Sequence, residues 1–153
     1  GGSTKAERDA QIQQIIERQE AVEKNPDWNP ICIYPEGTQS NGTALLPFKK
    51  GAFVSMKAVT PMVINYSWSG FSPTWDSMTF LGQAPLMYSF PGTYGCNVKI
   101  LLDFLPNKYL LEKHRDKGKD DWEIFAWAVR DIMARTGQFG KNEQPLTDKF
   151  MYK

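Results

Sequence analysis

The stretch from residue 34 to residue 53 combines a carboxylate, short hydroxyl side chains, glycines and lysines, the residue types best suited to binding a charged ligand. Free N–H groups and the dipole at a helix N-terminus favour an anion, and we predict that a helix begins inside this stretch. A glycine in the loop would let the backbone approach the ligand closely. A phosphate ester is therefore the ligand class that these residues fit. The candidate binding residues are Glu36, Gly37, Thr38, Ser40 and Lys49.

Each candidate also has a purely structural interpretation. Glu36 could cap the loop or the helix, and Thr38 and Ser40 could only stabilise a turn through local hydrogen bonds. Lys49 could belong to a solvated face, as we expect of Lys50. A carboxylate placed directly after a buried strand is costly unless it is paired or functional. We therefore favour a functional role for Glu36.

The sequence offers little support for other chemistry. One histidine and two distant cysteines cannot build a zinc site, and no Gly-x-Ser-x-Gly nucleophile motif or glycine-rich nucleotide motif is present. His114 lies in a charged run, so we predict that it is a surface residue. Cys32 lies in an apolar run and is predicted to be a buried free thiol, typical of a reducing compartment. A single disulfide with Cys96 stays open as an alternative.

The elements predicted around the candidate site form a βαβ unit. The apolar run 31–34 predicts a strand buried on both faces, and Pro47 can occupy the first position of a helix that reaches about Ala58. Residues 59–66 predict a second buried strand. Strand, helix and strand in this order favour parallel strands joined by a right-handed crossover. The loop at residues 36–43 would then lie at the carboxyl end of a parallel strand, where open α/β sheets bind ligands.

Helices with clear capping signals flank this unit. Thr4 and Glu7 have the spacing of a capping box, and the helix that they begin should end at Asn25. Its narrow apolar stripe is typical of a peripheral helix, and its glutamates argue against the alternative of a membrane-surface helix. The remaining predicted elements are short strands or turns over 67–94, a strand over 98–105 and a helix over 121–136. Asp120 and Glu123 supply the capping signals of this last helix, which carries a wide apolar stripe. We thus expect an α/β fold: a small, partly parallel sheet flanked by helices in three layers.

Composition excludes several classes of function. With 153 residues and 41% hydrophobic residues, the chain can form one compact domain. Its net charge of +1 gives no reason to expect a nucleic-acid partner. No run approaches the roughly 18 consecutive apolar residues of a membrane span. We expect no metal and no bound cofactor.

The candidate stretch resembles a known family. Tyr34-Pro35-Glu36-Gly37-Thr38, followed by Phe48-Lys49-Lys50-Gly51-Ala52-Phe53, is similar to the third conserved block of the glycerol-phosphate and lysophospholipid acyltransferases. The strand that starts at Val59 is similar to their fourth block. Later segments most resemble the lysophosphatidylcholine and lysophosphatidylethanolamine branch. The resemblance implies acyl transfer from acyl-CoA, as co-substrate, to a lysophospholipid, and a binding role for Glu36, Gly37, Thr38, Ser40 and Lys49.

The chain departs from the family in two respects. Members that use phosphate monoesters commonly carry Arg where this chain has Gln39, which favours a zwitterionic phosphodiester acceptor. The family's reaction relies on His-x-x-x-x-Asp, in which the histidine deprotonates the acceptor hydroxyl. Here the residue five positions after His114 is Lys119, so we expect this chain alone to be inactive.

These departures set the expected domain organisation. Residues 1–3 resemble a linker remnant, and residues 4–153 resemble the C-terminal part of one acyltransferase domain that lacks the His-x-x-x-x-Asp block. The resemblance implies upstream membrane-inserting segments and a site on the cytosolic face of a membrane, the endoplasmic reticulum if the source is eukaryotic. The alternative is a non-catalytic module that binds lipid headgroups.

Overall fold

The computed structural model describes residues 4–25, 27–38, 42–70, 79–89 and 92–143, without the side chain of Phe80. The elements in these ranges are α1 (Lys5–Lys24), β1 (Ala44–Leu45), β2 (Met62–Trp68), α2 (Phe80–Ser89), β3 (Tyr94–Ile100), α3 (Lys108–Lys113), α4 (Asp121–Gly137) and β4 (Gly140–Lys141). Short 3-10 helices cover Lys50–Ala52 and Arg115–Lys117. None of the helices in these ranges is long and apolar enough to cross a membrane.

Helix α4 forms the centre of the hydrophobic core. Its predicted capping box is confirmed, because the side chains of Asp120 and Glu123 each accept a backbone N–H of the other. Phe125 is fully buried, and its ring lies 5.2 Å from that of Phe53 and 5.9 Å from that of Phe104. The wide apolar stripe read from the sequence is thus the face that packs against the rest of the chain.

Helix α1 is peripheral, as predicted. The Thr4 and Glu7 capping box is formed, and the helix ends at Lys24 with Asn25 as its C-cap. None of its residues is buried. Its contacts to the rest of the chain include an ion pair of 2.6 Å between Glu23 and Lys57.

Two small sheets flank α4, so the expected α/β class, with a partly parallel sheet and flanking helices, is confirmed. Strand β1 pairs in parallel with β4, and β2 pairs antiparallel with β3 from Met62↔Ile100 to Trp68↔Tyr94. Strand β2 packs on α4 through buried Val63 and through Asn65, whose Nδ2 donates to the carbonyl of Gly137 at 2.9 Å. The strand predicted over 98–105 is displaced towards the N-terminus.

The predicted βαβ unit is wrong. Residues 31–34 form no strand, and Ile31, Cys32 and Tyr34 are exposed. Pro30 and Pro35 bound this run and lack N–H groups, so they cannot continue a hydrogen-bonded ladder. The prediction of a buried Cys32 thiol is also wrong. Both Cys32 and Cys96 are exposed and free.

The helix predicted from Pro47 to Ala58 is also wrong, because only the 3-10 turn Lys50–Ala52 forms there. The N–H of Lys49 donates instead to the carbonyl of Pro35 at 2.8 Å, and Met56 has a positive φ of 53° that no continuing helix could contain. Phe48 is nevertheless buried in the core, and Ala52 and Met56 pack against it. Within the range 67–94, where we predict short strands or turns, residues 80–89 instead form helix α2, and residues 71–78, 90 and 91 lie outside the described residues.

Candidate functional site

The candidate site is built on a tight turn. The N–H of Gly37 donates to the carbonyl of Tyr34 at 3.1 Å, with Pro35 and Glu36 as the two central residues. Proline at the second position and glycine at the fourth are typical of such a turn. The bond from the Lys49 N–H to the Pro35 carbonyl then ties the turn to the segment after β1. The sequence motif therefore forms one compact loop, although no strand precedes it.

Glu36 points back towards the chain from this turn and is half-buried. Its Oε2 accepts the N–H of Leu46 at 3.1 Å. Burial raises the pKa of Glu36, while the Leu46 hydrogen bond and the charge of Arg130 act in the opposite direction. The carboxylate is thus held in one place and made more basic than an exposed glutamate.

Lys49 lies against the same turn. A methyl group on Gly37 would stand 3.2 Å from Cδ and 3.3 Å from Cε of Lys49, so the aliphatic stem of the lysine covers this glycine. Gly37 itself has a φ of +66°. Lys49 is exposed, and no ion pair of its ammonium group is found among the described residues. A cation with this freedom can meet a ligand that approaches the loop.

The structure brings together three of the five residues predicted for the site: Glu36, Gly37 and Lys49. Thr38 follows in the same loop and is half-buried, and Ser40 lies outside the described residues. The α-helix whose N-terminus we expected to bind an anion does not form, and only the three-residue 3-10 helix Lys50–Ala52 follows Lys49. A helix dipole therefore gives no support for an anion site there. The binding role of all five residues stays a prediction.

Arg130 on α4 belongs to the surroundings of this site and was missed by sequence reasoning. It is 5% exposed, and its Nη2 donates to the carbonyls of Leu45 at 2.8 Å and Asn142 at 2.7 Å. Its Nη1 donates to both oxygens of Glu143, at 2.8 and 3.1 Å. The sequence does contain a signal that Arg130 is buried. Position 130 lies four residues from Ala126 and from Ala134, so the three residues share the buried face of the helix.

The described residues contain no other arrangement of catalytic type. No group of histidine, cysteine and carboxylate side chains in these ranges could hold a metal ion. His114 is half-buried rather than a free surface residue, and its ring lies 4.9 Å from that of Trp127. An aromatic contact accounts for this position, and Lys117 lies over the same tryptophan ring.

Comparison with known proteins identifies the segment that contains the turn. The sequence model of the family described as "Acyltransferase" matches residues 3–67. This segment belongs to the acyltransferase family. The resemblance noted from the motif is thereby confirmed, and the matched range of the acyltransferase segment includes Glu36, Gly37 and Lys49.

Curated relatives match the chain well beyond the acyltransferase segment. A lysophospholipid acyltransferase of Arabidopsis thaliana is 33% identical over 90% of this chain and 32% of its own length. Lysophosphatidylcholine acyltransferase 2 of Mus musculus is 27% identical over 95% of this chain and 24% of its own length. The chain thus spans a third or less of these relatives. No solved structure matches it.

Proposed function

We propose that this chain forms the acceptor-binding part of an acyltransferase that transfers an acyl group from acyl-CoA to a lysophospholipid. The observation that carries the proposal is the family match over residues 3–67, which contains the Glu36 turn. Relatives named for lysophospholipid and lysophosphatidylcholine acyl transfer support the choice of acceptor. Acyl-CoA is a co-substrate in this proposal, and no bound cofactor is required.

The loop residues have complementary roles in the proposed site. Lys49 supplies an exposed cation for the acceptor's phosphodiester, and its stem lies against Gly37. Glu36 supplies a fixed acceptor oxygen for a hydroxyl group or a headgroup cation. Thr38 and Ser40 are proposed to add hydroxyl contacts to the same headgroup.

Proton removal from the acceptor hydroxyl requires a base that residues 1–153 do not supply in the family's His-x-x-x-x-Asp form. His114, the only histidine, packs on Trp127 instead. We therefore propose that the base comes from another part of a longer enzyme and that this chain alone is inactive. General-base assistance typically contributes about 10²- to 10⁴-fold in rate. The proposed place of action is the cytosolic surface of a membrane, where lysophospholipids partition.

The test compares the chain with the longest natural protein that contains it. Each is incubated with acyl-CoA and with lysophosphatidylcholine or lysophosphatidylethanolamine, and CoA release is followed. We expect turnover by the longer protein, loss of that turnover in its Glu36→Gln variant, and none by the chain. Turnover by the purified chain would contradict the proposal that the catalytic base comes from another part of a longer enzyme. A longer protein that binds lysophospholipid but never releases CoA would indicate a non-catalytic headgroup-binding module.

A further inference from the structure

A single peptide group joins Arg130 to Glu36. The carbonyl of Leu45 accepts Nη2 of Arg130 at 2.8 Å, and the N–H of Leu46, the other end of that peptide, donates to Oε2 of Glu36 at 3.1 Å. The carbonyl and the N–H of a trans peptide point in opposite directions. Arg130 and Glu36 therefore lie on opposite sides of β1 and polarise the same amide from both ends.

The guanidinium group of Arg130 also fixes the position of β1 relative to β4. Nη2 also donates to the carbonyl of Asn142, directly after β4, so one nitrogen of Arg130 bridges the two parallel strands. The N–H of Asn142 donates to the carbonyl of Leu45 at 3.0 Å. Two donors thus converge on the Leu45 oxygen. A shift of β1 along β4 would break both bonds and would carry the Leu46 N–H away from Glu36.

A role in stability alone is a poor explanation for this arginine. A buried charge is costly, and replacing a buried ion pair with apolar side chains is often neutral or stabilising. The carboxylate partner, Glu143, is 75% exposed, so solvent weakens the pair. Nε of Arg130 is buried and has no hydrogen-bond partner among the described residues, which adds a further cost.

We infer that Arg130 is a positioning residue for the acceptor site, holding the Glu36 carboxylate in place through the Leu45–Leu46 peptide group. The inference rests on the proposed function for its catalytic meaning. The effect of Arg130 on the placement and the charge of Glu36 does not depend on that function.

The charged groups around Glu36 give the inference a measurable consequence. Arg130 approaches from α4 with Glu143 behind it, and Lys49 lies on the neighbouring Gly37. The Arg130 charge lowers the pKa of Glu36 against the larger effect of burial. Removing that charge while keeping the side chain's bulk should therefore raise the pKa of Glu36.

The first experiment follows the side-chain carboxyl carbon of Glu36 by ¹³C NMR during a pH titration of the 153-residue chain. Arg130→Met should raise the measured pKa of Glu36, because the favourable charge of Arg130 is lost. Arg130→Lys keeps the charge but cannot form the fork of hydrogen bonds. This variant should therefore alter the chemical shift of the Glu36 carboxyl carbon and change its pKa less than Arg130→Met does. Arg135→Met removes an exposed arginine from the same helix and is the control. An unchanged pKa and chemical shift in both Arg130 variants would overturn the inference. Should Arg130→Met fail to fold, the Arg130→Lys chemical shift decides alone.

The second experiment measures the pH profile of kcat/KM in the longer protein. Both Arg130 variants should lower kcat/KM by about 10-fold or more, and in Arg130→Met the acidic limb should move to higher pH. A fall in kcat/KM that only parallels a fall in melting temperature, with no shift of the acidic limb of the pH profile, would contradict the positioning role of Arg130. If the wild-type protein transfers no acyl group, the proposed function has failed. The NMR titration then still decides the role of Arg130.

Discussion

The stem of Lys49 lies directly over Gly37, so close that a methyl group on the glycine would stand 3.2 Å from Cδ. Gly37 also has a φ of +66°, a conformation that residues with a Cβ rarely adopt. The loop motif therefore places a glycine where both the backbone and its neighbour require one, and the lysine is oriented by that contact.

Gly37→Ala should destabilise the chain and weaken acceptor binding together. The positive φ alone costs about 1–2 kcal/mol for a residue with a Cβ, and displacing the Lys49 stem adds to this. Gly42 is a matched control, because its φ is +76° and an added Cβ would meet no described atom within 4 Å apart from its chain neighbours. Urea unfolding should thus show a larger loss for Gly37→Ala than for Gly42→Ala. Equal losses would show that the lysine contact is unimportant.

Lys49→Met should raise the acceptor KM roughly 10-fold and change kcat little. Methionine keeps an apolar stem against Gly37 but removes the charge, and a headgroup contact present before and during the reaction contributes uniform binding. The neighbouring exposed Lys50 provides the control, and Lys50→Met should leave both constants nearly unchanged. Steady-state kinetics of the longer protein measure this. A fall in kcat with unchanged KM would instead assign Lys49 to the transition state.

Glu36→Gln should lower kcat/KM by about 10²-fold without loss of stability at neutral pH. Glutamine keeps an oxygen that can accept the Leu46 N–H, so packing survives while the charge is lost.

Because the pKa of Glu36 is raised above 4.5 on folding, its stability contribution is greatest below about pH 4.5 and declines as pH rises through the raised value. The melting temperature of Glu36→Gln relative to wild type should therefore increase from pH 4 to pH 7. Glu112→Gln controls for removing an exposed carboxylate, and a Glu36→Gln protein that melts lower yet stays active would identify Glu36 as a structural cap.

Asp131→Asn should destabilise the chain at pH 7 by about 0.5–1 kcal/mol, since its partners Lys141 and Arg135 are partly exposed. The hydrogen bond from Lys141, at 2.7 Å, is the main cause of the lowered pKa of Asp131. A lowered pKa contributes stability that is present above about 3.8 and is lost as pH falls through the lowered value. Denaturation curves of the two proteins should therefore converge at low pH. A gap that persists at about pH 2 would contradict this assignment.

Local signals in the sequence were sufficient for the N-terminal ends of α1 and α4. The capping boxes at Thr4 and Asp120 and the apolar face of α4 involve residues three or four positions apart, and all were predicted correctly. The family motif likewise predicted that Glu36, Gly37 and Lys49 would meet. These features depend on neighbours along the chain or on a recognisable string of residues.

Pairing between distant segments could not be predicted in the same way. The apolar run 31–34 has the composition of a strand but no ladder partner among the described residues, because prolines bound it. The parallel pair instead joins β1 to β4, two strands of two residues each that carry no periodic signal. Arg130 was missed for a related reason, since its partners Leu45 and Asn142 are backbone carbonyls that sequence composition does not reveal.

The contact between Arg130 and Leu45 also sets an order of events during synthesis. These residues are 85 positions apart, so the Glu36 turn leaves the ribosome long before the arginine that braces it. Closing so long a loop is entropically costly and becomes possible only when α4 and β4 are both available. A nascent chain stalled before residue 130 would therefore display the complete motif without the contacts that connect Arg130 to Glu36. The geometry of the Glu36 turn is completed by α4, and not by the segment that encodes its sequence motif.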